Sequence, residues 1–143
     1  MTTTNLKVEN ICRAAIEGAT MVLRYGAEGM ERNGLKPDEI RLVGGEAESL
    51  VWRQVVADIF NQPVVSPVTT EAGALNAVFQ AMWCYINATT NNSDKTSLIA
   101  ICNQHVKLDK SSRCEPQPDM VLVYRKIYHR YLQLEEQLKP LNR

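Results

Sequence analysis

Two adjacent glycines lie between a short apolar run and an amphipathic segment. Ile40–Val43 is rich in aliphatic residues, Gly44 and Gly45 follow it, and Ser49 precedes the next apolar positions. This order predicts a strand, a glycine turn and a helix that Ser49 caps. Glycine permits positive φ and lets another molecule lie against bare backbone. Because the spacing matches neither the GxGxxG nor the Walker pattern, the turn taken alone favours an ordinary βα connection over a ligand site.

The surrounding patterns extend this unit to an α-β-α-β-α order. Apolar residues recur at helical spacing from residue 7 to about 33, and Gly34 is placed to end that helix. A second strand is predicted over Val64–Val68, with Pro67 at a sheet edge or a strand end. A third helix begins at Thr70 and has Glu71 in its first turn. The order predicts two parallel strands joined by a right-handed crossover, as in part of an α/β layer.

The rest of the chain is more polar. Residues 88–117 are predicted to be mainly loop, although the apolar segment 97–102 is compatible with a short helix, and 109–113 is expected to be a further loop. Residues 118–138 form a last helix with tyrosines on its apolar face. By length, residues 1–143 are one domain with its core in 7–87.

Charge and hydropathy exclude several classes of protein. Sixteen basic and sixteen acidic residues give a net charge of zero, so neither a nucleic-acid partner nor an anionic membrane is expected. No apolar run approaches the roughly 20 residues that span a bilayer. The first residues also lack the basic and apolar parts of a signal peptide, which makes a cytoplasmic location the expectation.

The cysteines do not form a metal-binding pattern. Cys102, His105 and Cys114 are candidates for a zinc site, but they lack paired ligand spacing, so no metal ligand is predicted. Cys12 and Cys84 lie in apolar helical patterns, where a thiol is expected to pack as a small hydrophobic group.

Several other positions carry structural expectations. Trp52 and Phe79 are expected in the core, and Glu17 is expected to hydrogen-bond Arg13, four residues earlier on the same helix. The glycines at positions 18 and 26 suggest close packing against a neighbour or a ligand. Arg53 is close enough to the turn to contact a phosphate, yet a solvated helix face is the preferred interpretation.

Four segments occur here in one order, and together they resemble the C-terminal region of the FGGY carbohydrate kinases. These segments are Arg13–Gly18, the Gly44–Gly45 pair, Trp52–Asp58 and Glu71–Leu75. Leu23–Gly26 adds a likeness to the xylulokinase branch. The resemblance covers about residues 8–85 and continues more loosely through Arg113–Pro116 and the last helix.

The resemblance implies a fold and a nucleotide site. The fold would be a fragment of a ribonuclease H-like domain of the actin/hexokinase ATPase type, helix-rich with a short parallel sheet. ATP would bind with its adenosine at Gly44, Gly45, Glu46 and Ser49, where Ser49 caps the helix and faces the base or ribose. The family usually has a small residue where this chain has Glu46, a basic or neutral one at Glu48, and glycine at Asn76. Two carboxylates would therefore flank a site for a polyanion.

The resemblance also implies an activity, ATP-dependent phosphorylation of a pentulose such as xylulose. In the family, the general base, the Mg²⁺ ligand and the phosphate-binding motifs precede the matched region. No catalytic or metal-binding residue is therefore assigned here, and the chain, a natural short product or a fragment, is predicted to be inactive alone. ATP and ADP are the expected partners, and the sugar would bind only with the missing N-terminal part. The alternative is a truncated, non-catalytic α/β paralogue that self-associates, and a homo-oligomer is expected.

Overall fold

The computed structural model describes residues 6–69, 71–90 and 95–138. Helices alternate with short strands along the first half of the chain, and a strand and a long helix end the second half. The helices are α1 (Val8–Arg32), α2 (Leu50–Phe60), α3 (Ala72–Thr89), α4 (Leu98–His105) and α5 (Pro118–Leu138), and the strands are β1 (Ile40–Arg41), β2 (Val64–Pro67) and β3 (Leu108–Cys114). A 3₁₀ helix, Gly45–Glu48, lies between β1 and α2.

The three strands form one mixed sheet in the order β1-β2-β3. β1 and β2 are parallel, with Ile40 opposite Val64, which confirms the predicted parallel pair. β3 joins β2 in the antiparallel direction, so the expectation of a purely parallel sheet was incomplete. The loop expected at 109–113 was also wrong, because these residues belong to β3.

α2 packs between the sheet and the two long helices. One face contributes Val56 and Ala57 to a cluster with Val64 of β2 and Cys114 of β3. Val55 on the other side contacts Met21 of α1 and Tyr124 of α5. This sandwiched helix begins directly after the 3₁₀ helix, so the core fixes its position relative to β1.

A hydrogen-bonded group of three side chains joins α1 to α5. Arg13 Nε donates to Glu17 Oε1 at 2.7 Å, which confirms the predicted pair. The Tyr124 hydroxyl donates to the same carboxylate oxygen at 2.8 Å and accepts from Arg13 Nη2. Burial, and after it the hydrogen bond to Glu17, raises the pKa of Tyr124 to about 12. The group connects the last helix to the first.

The helix boundaries agree with the capping predictions, with one shift. Gly34 follows α1 with φ of +88°, and its N–H donates to Glu31, as expected of a glycine that ends a helix. α3 begins at Ala72, so Glu71 is its N-cap residue and not part of its first turn. Thr70, the predicted start of α3, lies outside the described residues.

Several residues expected to be packed are exposed. Phe79 is buried as predicted, but Trp52 is only partly buried against the sheet cluster. Cys12 and Cys84 are exposed, which contradicts their expected packing as small hydrophobic groups. A Cβ added to the glycines at 18 and 26 would meet nothing within 4 Å beyond their own helix, so none of the described residues packs closely against them.

Large apolar side chains are exposed along much of α1. They include Val8, Ile11, Val22, Leu23 and Met30. β1 and β3 are the two outer strands of the described sheet, so each has one edge with no strand beside it in the described ranges. Within residues 6–69, 71–90 and 95–138, no helix is long and apolar enough to cross a membrane.

Candidate functional site

The Gly44–Ser49 turn forms as the sequence predicts. Gly44 has φ of +86°, a left-handed conformation that favours glycine. The Ala47 N–H donates to the Gly44 carbonyl at 3.0 Å, and the Ser49 N–H donates to the backbone carbonyl of Glu46 at 3.2 Å. Ser49 is the N-cap of α2, because its Oγ accepts from the Trp52 N–H at 3.3 Å. The chain thus passes from β1 through one 3₁₀ turn into a capped helix.

The two glycines of the turn differ in what surrounds them. A Cβ added to Gly44 would stand 2.9 Å from Glu46 Oε2, so the Glu46 carboxylate covers that side of the glycine. A Cβ added to Gly45 would meet nothing within 4 Å. Glu48 is exposed at the end of the 3₁₀ helix. Gly45 is therefore open to an approaching molecule, whereas Gly44 is partly covered.

Two cavities, one mainly apolar and one mainly polar, lie near the turn. An apolar one of about 180 Å³ is lined by Val43, Leu75, Asn76 and Phe79, among others. A polar one of about 540 Å³ is lined by residues that include Ala47, Glu48, Arg53, Ser66 and Asp109. Pro67 at the end of β2 contributes to both. Two turn residues, Ala47 and Glu48, thus line the polar cavity, whereas the apolar cavity includes Val43, which directly precedes the turn.

Arg53 is the residue of this region that the sequence interpretation placed wrongly. Its side chain is partly buried beside the turn, where Nη1 donates to the Ala47 carbonyl, and it does not lie on a solvated helix face. Its Nε is buried without a hydrogen-bond partner. The sequence offered one signal, since an arginine four residues after a helix cap is within reach of the preceding turn.

Asp109 of β3 faces the same polar cavity. The Ser111 hydroxyl donates to Asp109 Oδ1 at 2.6 Å and the Ser111 N–H donates at 2.9 Å. These bonds, the hydroxyl first, lower the pKa of Asp109, and the charge of Arg53 acts in the same direction more weakly. An anionic side chain of β3 and the Arg53 side chain therefore line the same cavity.

The proposed zinc candidates do not come together as a site. Cys114 is buried in the sheet cluster, Cys102 is partly buried, and His105 lies against the ring of Phe79, with centroids 6.0 Å apart. In the part of the chain that the structure describes, no three His, Cys, Asp or Glu side chains are grouped to hold a metal ion.

Relatives with matching sequences are carbohydrate kinases. The chain is 40% identical over 128 residues to a xylulose kinase of Haemophilus influenzae, covering 90% of this chain and 24% of the relative. It is 31% identical over 109 residues to a gluconokinase of Bacillus licheniformis, covering 75% of this chain and 21% of the relative. The chain thus spans about a quarter of the length of the curated relatives it matches.

Solved structures show the same fold. The ligand-bound xylulose kinase from Lactobacillus acidophilus superimposes with a TM-score of 0.76 at 29% identity, over 97% of this chain and 26% of that one. The gluconate kinase from the same organism gives 0.75 at 29% identity, over 96% and 26%. Residues 1–85 match the model of the C-terminal domain of the FGGY family of carbohydrate kinases. The chain therefore belongs to the FGGY family of carbohydrate kinases.

Proposed function

We propose that this chain is the nucleotide-side part of an ATP-dependent kinase that phosphorylates a pentulose such as xylulose. The observation that carries the proposal is the 40% identity to a xylulose kinase over 90% of the chain. The structural likeness to a second xylulose kinase, over nearly the whole chain, supports it. The family includes kinases of other sugars, so the pentulose rests on the xylulose kinase similarity.

Within that kinase, we assign the adenosine of ATP or ADP to Gly44, Gly45, Glu46 and Ser49. The open backbone of Gly45 supports this assignment, because a planar base needs close approach to the main chain. The positive end of the α2 dipole lies at the same turn, and it would favour the phosphates attached to the adenosine and not the neutral adenosine itself. Glu46 and Glu48 act against the phosphates, so affinity is expected to be weak.

Phosphoryl transfer also requires Mg²⁺, phosphate-binding donors and a group that positions the attacking hydroxyl. The family resemblance places these groups in the part of the kinase that precedes the matched region. We therefore expect the 143 residues alone to bind nucleotide without phosphorylating sugar, and the sugar and Mg²⁺ to bind together with that preceding part. A cytoplasmic location belongs to the same proposal. A coupled assay with ATP, Mg²⁺ and xylulose that showed turnover above a no-enzyme control would contradict the expected inactivity.

Calorimetry on two matched glycine variants tests the adenosine site. Gly45→Val introduces a side chain where the structure has open space and where φ is not positive, so the fold should persist. If adenosine lies against Gly45, the variant should lose ATP and ADP binding. Gly18→Val makes the same change in open space on α1, far along the chain from the turn, and should bind like the wild type. A folded Gly45→Val chain with unchanged affinity would reject the site.

A second function, a self-associating module without catalytic activity, is favoured by the apolar side chains exposed on α1. Exposed apolar patches of this kind commonly mark an interaction surface. In this alternative the Gly44–Gly45 turn is only a connection between β1 and α2. Nucleotide binding distinguishes the two functions, because only the kinase proposal requires it.

A further inference from the structure

Arg53 reaches back from the first turns of α2 to the 3₁₀ helix that precedes it. Its backbone N–H donates to the Ser49 carbonyl at 3.0 Å within the helix, and its Nη1 donates to the Ala47 carbonyl outside the helix. The side chain is partly buried, and its Nε has no exposed surface through which a ligand could reach it. The guanidinium is therefore placed to act on the turn and not to touch a ligand through Nε.

The carbonyl that Arg53 holds belongs to the most buried residue of the turn. Ala47 is 2% exposed, and its N–H donates to the Gly44 carbonyl at 3.0 Å. One continuous series of hydrogen bonds thus runs from Gly44 through Ala47 to Arg53. Hydrogen bonds from a charged donor are stronger than those between neutral groups.

A turn with two glycines needs support from outside itself. Glycine loses more conformational freedom on ordering than any other residue, so such a turn is easily deformed. A binding site gains affinity when its groups are already held in the bound arrangement. Among the described residues of α2, Arg53 donates a side-chain hydrogen bond to this turn, at the Ala47 carbonyl, and the Trp52 N–H donates to the Ser49 side chain at its end.

We propose that Arg53 is a positioning residue for nucleotide binding, which holds the Gly44–Ser49 turn in the shape that receives adenosine. This inference rests on the proposed function, because it assumes that adenosine binds at the turn. Asp109 of β3 lines the same polar cavity as Arg53. β3, the strand that sequence patterns missed, thus shares this cavity with Ala47 and Glu48 of the turn.

The test compares Arg53→Leu and Arg53→Lys with a control at the next position. Gln54 donates to Asp58 and to the Glu115 carbonyl, so Gln54→Leu removes hydrogen bonds of the same helix on a side away from the turn. Hydrogen exchange of the Ala47 and Ser49 amides, measured without nucleotide, reports the turn directly. Calorimetry with ATP reports binding.

We expect Arg53→Leu to speed exchange at both amides about tenfold and to weaken ATP binding by about the same factor, equivalent to one lost hydrogen bond. Arg53→Lys, which keeps a donor, should lie between the wild type and Arg53→Leu in both measurements. Gln54→Leu should lower the melting temperature but leave both amide exchange in the turn and ATP affinity unchanged. This pattern separates positioning from a general loss of stability.

Wild-type exchange rates and wild-type ATP affinity in Arg53→Leu would overturn the inference. If Arg53→Leu does not fold, Arg53→Met decides, because it keeps a long side chain without a donor, and unchanged exchange and affinity there would overturn the inference as well. Faster exchange in the variants combined with no uptake of ATP by the wild-type chain would reject the proposed function, and it would retain Arg53 only as the support of the turn.

Discussion

The carboxylate of Glu46 lies over Gly44, with Oε2 2.9 Å from the point that a Cβ on that glycine would occupy. A nucleotide that approaches the turn must displace this carboxylate or pass beside it. Glu48 adds a second negative charge at the end of the same 3₁₀ helix. In the proposed site, both carboxylates would repel the phosphates of ATP and would have a smaller effect on neutral adenosine.

Removing this opposition should therefore tighten ATP binding selectively. For Glu46→Gly combined with Glu48→Lys, we expect ATP affinity to rise about tenfold or more, since a charge near a phosphate is worth on the order of 1–2 kcal/mol when partly shielded. The gain for adenosine should be smaller, and the gain for ATP should shrink as salt is added. Calorimetry at low and high salt measures both.

A charge control accompanies that measurement. Glu9→Lys on α1 makes the same change in net charge as Glu48→Lys, but far along the chain from the turn. It should leave ATP affinity near the wild-type value. An equal gain for adenosine and ATP, or an equal gain in Glu9→Lys, would show that the two carboxylates do not face the phosphates.

Two tyrosines of α5 predict how stability changes at alkaline pH. Burial, followed by the hydrogen bond to Glu17, raises the pKa of Tyr124 to about 12. Burial, followed by the charge of Glu28, raises the pKa of Tyr128 to about 12. In the unfolded chain a tyrosine loses its proton near pH 10. The folded state thus holds more protons than the unfolded state between pH 10 and 12, and stability should fall across that window.

Urea unfolding at pH 9 to 12 checks this prediction. Below pH 10 the two tyrosines should contribute no pH dependence, and above it the free energy of unfolding should decline. The decline should be shallower in Tyr124→Phe with Tyr128→Phe. Tyr85→Phe, at an exposed position of α3, serves as the control. An identical decline in the double variant and the control would contradict the assignment.

Trp52 tests how far partial burial contributes to stability. It packs against the sheet cluster but is not fully buried, so Trp52→Ala should destabilise the chain by roughly 2–3 kcal/mol, below the range for a fully buried tryptophan. Trp83 on α3 is more exposed, at 39%, and its indole donates to Thr96 at 2.9 Å, so Trp83→Ala should cost about 1 kcal/mol. Thermal melts that give equal losses would place Trp52 outside the core.

The exposed face of α1 predicts self-association of the isolated chain. Val8, Val22 and Leu23 are each more than half exposed, and apolar side chains of this density favour contact with another surface. Light scattering should therefore detect a dimer or larger species at moderate concentration. Val22→Lys should shift it toward monomer, whereas Leu122→Lys on α5 should have a smaller effect. A wild-type chain that stays monomeric at high concentration would contradict the prediction.

The parts of the fold that could be predicted have local signals. The end of α1 before Gly34 and the Ser49 cap of α2 each follow from one residue with a strong local preference, and the β1–β2 pair follows from two aliphatic runs on either side of a helix. β3 has no such signal, because its sequence is polar and its inward residues are Ser112 and Cys114. It is held by pairing with β2, including the Ser66 N–H that donates to Ser112 Oγ at 2.8 Å. Such long-range pairing leaves little trace in a local pattern.

The backbone turn of the candidate site could be predicted from the sequence, but the positions of the side chains around it could not. Gly44, Gly45 and Ser49 were identified from residue type and spacing, and the structure brings them into one capped turn. The position of the Glu46 carboxylate over Gly44 depends on side-chain conformation, which spacing does not determine. The role of Arg53 depends on which way the side chain turns, and its sequence pattern fits a solvated face equally well.

A titration of the chain with ATP, followed by amide chemical shifts, tests the central claim that the Gly44–Ser49 turn is a nucleotide site. We expect saturable changes in amide chemical shift that are largest at Gly44, Gly45, Ala47 and Ser49 and smaller at Asn76, which lines the apolar cavity. ADP should produce the same pattern. If no saturable changes occur, or if they are concentrated on α1 or α5 and absent from the turn, the Gly44–Ser49 turn is not a nucleotide site.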